Sequence, residues 1–151
     1  MTQINFSRIT AGFVLTAGLF MGGCGSNPVA KGVNGNQLAD CPSSPNCISS
    51  TAQSEDKFYP HLTYQGTTEQ AKHKLMEVLN AYPGAEIANN GDHYIHAQFT
   101  TAIMRFTDDA EFLILEDGIQ VRSASRVGYS DLGKNRKRMD EIRESFEPCC
   151  E

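Results

Sequence analysis

The fold is decided by Glu111-Phe-Leu-Ile-Leu-Glu-Asp-Gly-Ile-Gln-Val-Arg122. Its centre, Asp117-Gly118, is typical of the two-residue turn of a β-hairpin, where both turn positions favour residues that tolerate positive φ angles. Apolar and β-branched residues flank this dipeptide on both sides. The stretch therefore predicts two antiparallel strands, over 111–115 and 119–122, joined by a tight turn.

Other segments with strand character surround this hairpin. In one of them Ile95, Ala97 and Phe99 alternate with polar residues, which predicts a strand that is buried on one face. The predicted strands cover about 86–89, 92–101, 103–115 with an internal break, and 118–127.

A helix is predicted on each side of these strands. Thr67-Thr-Glu-Gln70 fits a capping box that begins the first helix, and Pro83-Gly84 ends it. The second helix spans about 134–147, with an apolar stripe of Met139, Ile142 and Phe146. This order predicts an α+β fold, an antiparallel β-meander of about four to five strands with two helices packed on one face.

The N-terminal residues are typical of an export signal. Residues 1–8 carry Arg8 and no acid, residues 9–21 are uncharged, and Gly22-Gly23-Cys24 resembles a lipobox. We therefore expect a signal peptide over 1–23 and a mature lipoprotein whose N-terminal Cys24 carries a diacylglyceryl group and palmitate. An ordinary secretory signal with an incidental cysteine is the alternative.

Acylation of Cys24 predicts where the domain works. Two or three acyl chains hold a protein firmly at a membrane, and Gly25 in place of Asp favours the outer membrane, facing the periplasm. Residues 24–40 are rich in Gly and Asn without apolar periodicity, which predicts a flexible tether before a single domain over 41–151. The formal net charge of −5 argues against nucleic acid as a partner.

Four further cysteines, Cys41, Cys47, Cys149 and Cys150, are candidates for disulfides in an oxidising compartment. Pairing of Cys41 with Cys47 is the first choice, and pairing of this loop with the C-terminal cysteines is the alternative. Thiolate chemistry with a metal is a weaker interpretation, since Cys-x5-Cys is not a zinc spacing. No metal and no cofactor is predicted.

Five segments resemble, in the same order, the domain of unknown function 1499 family. The resemblance covers about residues 40–147 and implies an association with bacterial envelopes or plastids, without naming a reaction. The segments are Cys41-Pro-Ser-Ser-Pro-Asn-Cys-Ile-Ser-Ser50, Tyr94-Ile-His-Ala-Gln-Phe99, Arg105-Phe-Thr-Asp-Asp-Ala-Glu-Phe112, Val121-Arg-Ser-Ala-Ser-Arg-Val-Gly-Tyr-Ser-Asp131 and Asn135-Arg-Lys-Arg138.

The last two segments hold the densest polar residues. On a strand Arg122 and Arg126 point the same way, so two guanidiniums could grip a carboxylate or phosphate. The structural interpretation is that they pair across the sheet with acids of a neighbouring segment, namely Asp108, Asp109 and Glu111. The basic run from Lys134 to Arg138 is expected to be a solvated helix face.

These residues lead to two functional hypotheses. The first is a non-catalytic, lipid-anchored envelope domain that binds a protein or a small anionic ligand through Arg122, Arg126, Tyr129 and Asn135. The second is an envelope hydrolase that uses Asp109 or Glu111 as general base. No complete catalytic constellation is visible, because no histidine or glycine-framed elbow accompanies Ser123, Ser125 or Ser130. No catalytic residue is therefore assigned, and His93-x-x-His96 is not expected to bind metal.

Overall fold

A computed structural model describes residues 29–147. Its main element is a five-stranded antiparallel sheet with the strand order β3-β7-β6-β5-β4, in which β4 to β7 form a meander and β3 lies at the edge beside β7. A separate two-stranded hairpin, β1-β2, precedes it. The strands are β1 Val33–Asn34, β2 Gln37–Leu38, β3 Cys47–Ser49, β4 Ala85–Asn90, β5 Tyr94–Thr100, β6 Thr107–Leu115 and β7 Gly118–Ser125.

Two helices, α1 Thr68–Ala81 and α2 Lys134–Phe146, complete the α+β fold predicted from the sequence. The capping box that begins α1 is present: Gln70 Oε1 accepts a hydrogen bond from Thr67 N–H at 2.9 Å, and Thr67 Oγ1 accepts from Gln70 N–H at 3.3 Å. Asp117-Gly118 closes the β6-β7 hairpin, with Gly118 at a φ of 141° that few other residues adopt. The prediction of the fold class is confirmed.

The hydrophobic core lies between one face of the sheet and the two helices, and we call this side of the sheet the helix face. Alternate residues of each central strand point into it, as the period of a β-strand requires. The fully or almost fully buried apolar residues include Ile95, Phe99, Phe112 and Val121 from the sheet and Leu75, Leu79, Met139, Ile142 and Phe146 from the helices.

Two strand ends differ from the sequence prediction. Residues 103–106 form a loop before β6, in which Arg105 has a φ of 55°, outside the range of an extended strand. The strand predicted to continue to residue 127 ends at Ser125, because the chain bends there before a turn at Gly128.

The disulfide pairs Cys41 with Cys47, across a Cα–Cα distance of 5.7 Å. The first-choice pairing is therefore confirmed, and the alternative in which these cysteines bond to the C-terminal pair is wrong. Cys24, Cys149 and Cys150 lie outside the described residues.

The sheet face opposite the helices is covered by residues 29–38, which we call the N-terminal arm. Leu38 is buried, and its N–H donates to Gln120 Oε1 at 3.1 Å. The sequence predicts a flexible tether up to residue 40, whereas the structure places residues 29–38 against the sheet. They are held there by hydrogen bonds, which need no apolar pattern in the sequence. Within residues 29–147, neither helix has the length and apolar character needed to cross a bilayer.

Candidate functional site

Five polar side chains form a cluster under the N-terminal arm, on the side of the sheet that we call the arm face. They come from three adjacent strands and the residue that follows β7, and alternation along each strand points them all away from the core. Asp109 and Glu111 are fully buried, and Arg122 is 1% exposed, although no helix covers them. The members of this arm-face cluster are His96, Asp109, Glu111, Arg122 and Arg126.

Asp109 is held by three different groups. Arg126 grips it in a bidentate pair, Nε to Oδ2 and Nη2 to Oδ1, both at 2.8 Å. His96 Nε2 lies 2.7 Å from Oδ1, and the N–H of Val29 in the arm donates to Oδ2 at 2.8 Å. Burial alone would raise the pKa of Asp109, but the hydrogen bonds from Arg126, His96 and Val29 outweigh it and hold that pKa well below its usual range.

Glu111 is surrounded in the same way. Arg122 Nη1 donates to Oε2 at 2.7 Å, and the Tyr94 hydroxyl donates to Oε1 at 2.8 Å. The arm adds the N–H groups of Lys31 and Gly32, at 3.0 and 2.7 Å from Oε1. Burial, together with the bond to the Glu111 carboxylate, raises the pKa of Tyr94, so its hydroxyl remains a donor at neutral pH.

Arg122 connects the sheet to the arm. Its Nη1 also donates to the backbone oxygen of Val29 at 3.1 Å. Its Nε is buried and makes no hydrogen bond within residues 29–147. An unpaired buried donor costs about 1–3 kcal/mol. The contacts that offset this cost are those that the guanidinium makes to Glu111 and to the arm.

A second polar cluster lies on the helix face, where α2 begins. Asn135 is its centre: Oδ1 accepts from Ser123 Oγ at 2.6 Å and from Arg138 Nη1 at 2.7 Å, while Nδ2 donates to Ser125 Oγ at 3.1 Å. Arg138 forms a buried ion pair with Asp108 and stacks over Phe99, with 4.7 Å between the guanidinium carbon and the ring centroid. This helix-face cluster fastens α2 to the sheet.

The structure does not bring together the four residues predicted to form one contact surface. Arg122 and Arg126 lie on the arm face, paired with Glu111 and Asp109, so the structural interpretation of these arginines is confirmed for those two acids. It is wrong for Asp108, which pairs with Arg138 on the helix face. Asn135 is fully buried on the opposite side of the sheet. Tyr129 is 77% exposed in the loop that follows β7.

The prediction that Lys134 to Arg138 is a solvated helix face is wrong for Asn135 and Arg138, which are buried. The sequence does indicate this burial, because Asn135 and Arg138 extend the apolar stripe of Met139 and Ile142 toward the N-terminus of the helix at helical spacing. No pattern in the sequence indicates the pairing of His96 with Asp109, because this pairing depends on the register between β5 and β6.

The start of α2 also differs in detail from a simple capping motif. Its N-cap is Gly133, in a left-handed conformation, which has no side chain to accept a hydrogen bond. Asp131 still satisfies helix donors, because its Oδ2 accepts from Asn135 N–H at 2.8 Å and its Oδ1 from Gly133 N–H at 3.1 Å. A carboxylate there also offsets the basic residues of the first turn.

The sheet separates the serines of β7 from the histidine of the arm-face cluster. Ser123 and Ser125 point to the helix face, and within residues 29–147 no hydrogen bond joins His96 to a serine, threonine or cysteine. The described part of the chain contains no group of three or more His, Cys, Asp or Glu residues placed to hold a metal ion.

The protein family can be assigned. A family model described as "Protein of unknown function (DUF1499)" matches residues 37–146, which include all of the main sheet and both helices. No curated protein and no solved structure matches the chain. The match covers well over half of the chain, and the chain therefore belongs to the DUF1499 family.

Proposed function

We propose that this protein is a non-catalytic domain of the bacterial envelope, anchored by lipid on Cys24, that binds a partner protein through its arm face. The observation that carries this proposal is how the cluster holds the arm. It uses the backbone N–H groups of Val29, Lys31 and Gly32 and the backbone oxygen of Val29. Because nearly every residue offers these groups, an extended segment of another protein can make the same contacts.

The charge balance of the cluster favours an extended peptide over a small anion. Arg122 and Arg126 are each matched by a buried carboxylate at 2.8 Å or less. An incoming carboxylate or phosphate would meet Asp109 and Glu111 as well as the arginines, without a surplus of positive charge. A neutral backbone, which supplies both donors and acceptors, suits this site better.

The acid–base properties of the cluster support a non-catalytic role. A general base works best when its pKa lies near the operating pH. Arg126, His96 and the arm amide hold the pKa of Asp109 well below that range in spite of its burial. Asp109 is therefore a poor base. Glu111, the other candidate, already accepts hydrogen bonds from Arg122, Tyr94 and the arm, and we do not propose the envelope hydrolase.

The lipid anchor rests on residues 1–24 and on where the arm begins. Val29 is five residues after Cys24, so a docked arm would keep the domain close to the membrane. Mass spectrometry of the protein from bacterial membranes is expected to find an acylated N-terminal peptide that begins at Cys24. An uncleaved N-terminus, or a free amine on Cys24 without acyl chains, would contradict the anchor.

Binding at the arm face can be tested by releasing the arm. The double variant Val29→Pro/Lys31→Pro removes two of the donated N–H groups without changing the sheet. A synthetic peptide of residues 27–36 is then expected to shift the NMR signals of Tyr94 and His96. The wild type should not respond, because its own arm is present at a high effective concentration.

The matched control is Ala30→Pro, since the Ala30 N–H makes no hydrogen bond within residues 29–147. This variant should keep its arm docked and behave as the wild type does. A folded double variant whose Tyr94 and His96 signals ignore the peptide would contradict the proposal.

A further inference from the structure

Exposed apolar side chains concentrate at one end of the sheet. Among residues 29–147, eight large apolar residues are exposed, and six of them belong to two loops. We call these loops the loop end: residues 101–106, between β5 and β6, and residues 126–133, between β7 and α2. The six residues are Ile103, Met104, Phe106, Val127, Tyr129 and Leu132.

The two loops are neighbours because the strands are antiparallel. β6 begins where β7 ends, and Arg126 N–H donates to the Thr107 oxygen at 3.3 Å to join the bases of the two loops. Ile103 is 91% exposed and Leu132 is 88% exposed. Clustered exposed apolar side chains on a soluble domain mark a contact with a protein or a membrane.

Both loops are held in fixed, costly shapes. Arg105 and Leu132, each at a φ of 55°, are the non-glycine residues in the left-handed region within residues 29–147. Such a conformation costs about 1–2 kcal/mol for an L-residue. Hydrogen bonds from Thr101 N–H to the Phe106 oxygen and from Leu132 N–H to Ser130 Oγ maintain it. The apolar side chains are thus presented by the fold itself.

The N-terminal arm runs toward this same end. Going toward the N-terminus, its contacts move from Gln120 through Glu111 to Asp109, which lies two residues from the start of β6. Val29 is five residues after Cys24, and a chain spans at most about 3.6 Å per residue, so the two residues are at most roughly 18 Å apart. A lipid on Cys24 would therefore be confined near the loop end.

The charge of the loop end suits an anionic lipid surface. In a chain of formal net charge −5, two basic residues at the loop end lie outside the arm-face cluster, Arg105 in the first loop and Lys134 as the first residue of α2. One acidic residue, Asp131, accompanies them, while the charge of Arg126 is already matched by Asp109. Basic residues around apolar and aromatic side chains are the pattern that places a protein in the headgroup region of a bilayer.

We infer that the loop end inserts its apolar side chains into the headgroup region of the bilayer beside the acylated Cys24. This inference rests on the proposed lipid anchor and adds a second membrane contact that fixes the orientation of the domain. The acyl chains supply the affinity, so the loops need only select which side of the domain faces the lipid. The arm face would then lie close to the membrane surface.

The chain contains no tryptophan, so the fluorescence of a single introduced tryptophan comes from one known position. Phe106→Trp labels the loop end and Phe58→Trp is its matched control, since the two phenylalanines are 44% and 45% exposed. Each full-length, lipidated variant is reconstituted into phosphatidylcholine vesicles with and without brominated acyl chains. Phe106→Trp is expected to lose most of its fluorescence to the brominated lipid, and Phe58→Trp to keep its own.

Leu132→Trp, at an exposed position of the second loop, should be quenched in the same way and guards against an effect of the Phe106 substitution on folding. Addition of phosphatidylglycerol should strengthen quenching, and Arg105→Glu should remove that gain.

Unquenched loop-end variants that still float with vesicles would overturn the inference while leaving the anchor intact. A wild type that does not float would contradict the anchor and the inference together. Photocrosslinking from residue 132 to a protein, without quenching by lipid, would assign the loop end to a protein partner and overturn it as well.

Discussion

The two faces of the sheet bury charged groups in different ways. On the helix face, Asp108 and Arg138 lie at the edge of an apolar core that two helices cover. On the arm face, the charges of the cluster are covered by a segment that contributes backbone groups and few apolar side chains. Burial on the first face is a consequence of packing, whereas burial on the second depends on a cover bound by hydrogen bonds.

This difference has a functional meaning. A helix with an apolar stripe cannot leave the sheet without exposing the core, at a cost of about 25 cal/mol per Å² of apolar surface. An arm bound by a few charge-assisted hydrogen bonds can exchange these for bonds to another backbone or to water. If the arm face binds a partner as proposed, it is therefore the side on which that binding can be regulated.

The largest effect is expected from separating the buried pair of the arm face. Arg122→Met leaves Glu111 buried beside Tyr94 without a cation, and the loss of one partner of such a pair costs about 3–5 kcal/mol. Urea unfolding should show a matching loss in the free energy of unfolding. Glu111→Gln/Arg122→Met should recover most of it, because no charge then remains unpaired, the unbonded Arg122 Nε is removed, and the amide oxygen of the introduced glutamine can still accept from Tyr94 and the arm. A double variant as unstable as Arg122→Met would mean that the pair itself is needed.

The second largest effect is expected at low pH, where the arm face should contribute less to the free energy of unfolding. Bonds from Arg126, His96 and Val29 outweigh burial and lower the pKa of folded Asp109 below the ordinary value of 3.8. A lowered folded pKa contributes stability that is fully present above the unfolded pKa and is lost as the pH falls through the folded value. The free energy of unfolding should therefore decline below about pH 4. Asp109→Asn should be less stable at neutral pH and decline less on acidification, and an equal decline in both proteins would contradict the assignment.

On the helix face, Asn135→Ala is expected to lower the free energy of unfolding by about 1–3 kcal/mol, because buried partners lose their hydrogen bonds. These partners are Ser123, Ser125 and Arg138. Thermal unfolding measures the loss, and Asn80→Ala, at an exposed position of α1, serves as the control. In the Val29→Pro/Lys31→Pro background, peptide binding at the arm face should be unchanged by Asn135→Ala, since the sheet separates the two clusters. A change in that binding would show that the two faces are coupled.

The sequence predicts the helix face well because its signals are local. The turn at Asp117-Gly118, the capping box at Thr67 and the alternation around Ile95 each depend on neighbouring residues. The pairing of Arg122 with Glu111 also follows from alternation once the hairpin register is known.

The arm could not be predicted in this way. It is recognised through backbone groups of Val29, Lys31 and Gly32, which almost any sequence supplies, so composition suggests only a tether. The burial of Asn135 and Arg138 is hidden for a different reason, because polar residues on a helical stripe resemble a solvated face until their partners on the sheet are known.

The smallest expected effect tests whether the arm is an exchangeable cover. Val29→Pro removes one N–H from Asp109, which keeps Arg126 and His96, so the free energy of unfolding should fall by only about 1 kcal/mol. Amide hydrogen exchange should change more clearly, with faster exchange at Lys31 and Gly32 and unchanged exchange within β6 and β7, since the cover opens while the sheet stays folded. Ala30→Pro, which removes no hydrogen bond within residues 29–147, should leave exchange at Gly32 unaltered. If β6 and β7 exchange faster in Val29→Pro, the arm is part of the cooperative fold, and the two faces differ in composition but not in how firmly they are covered.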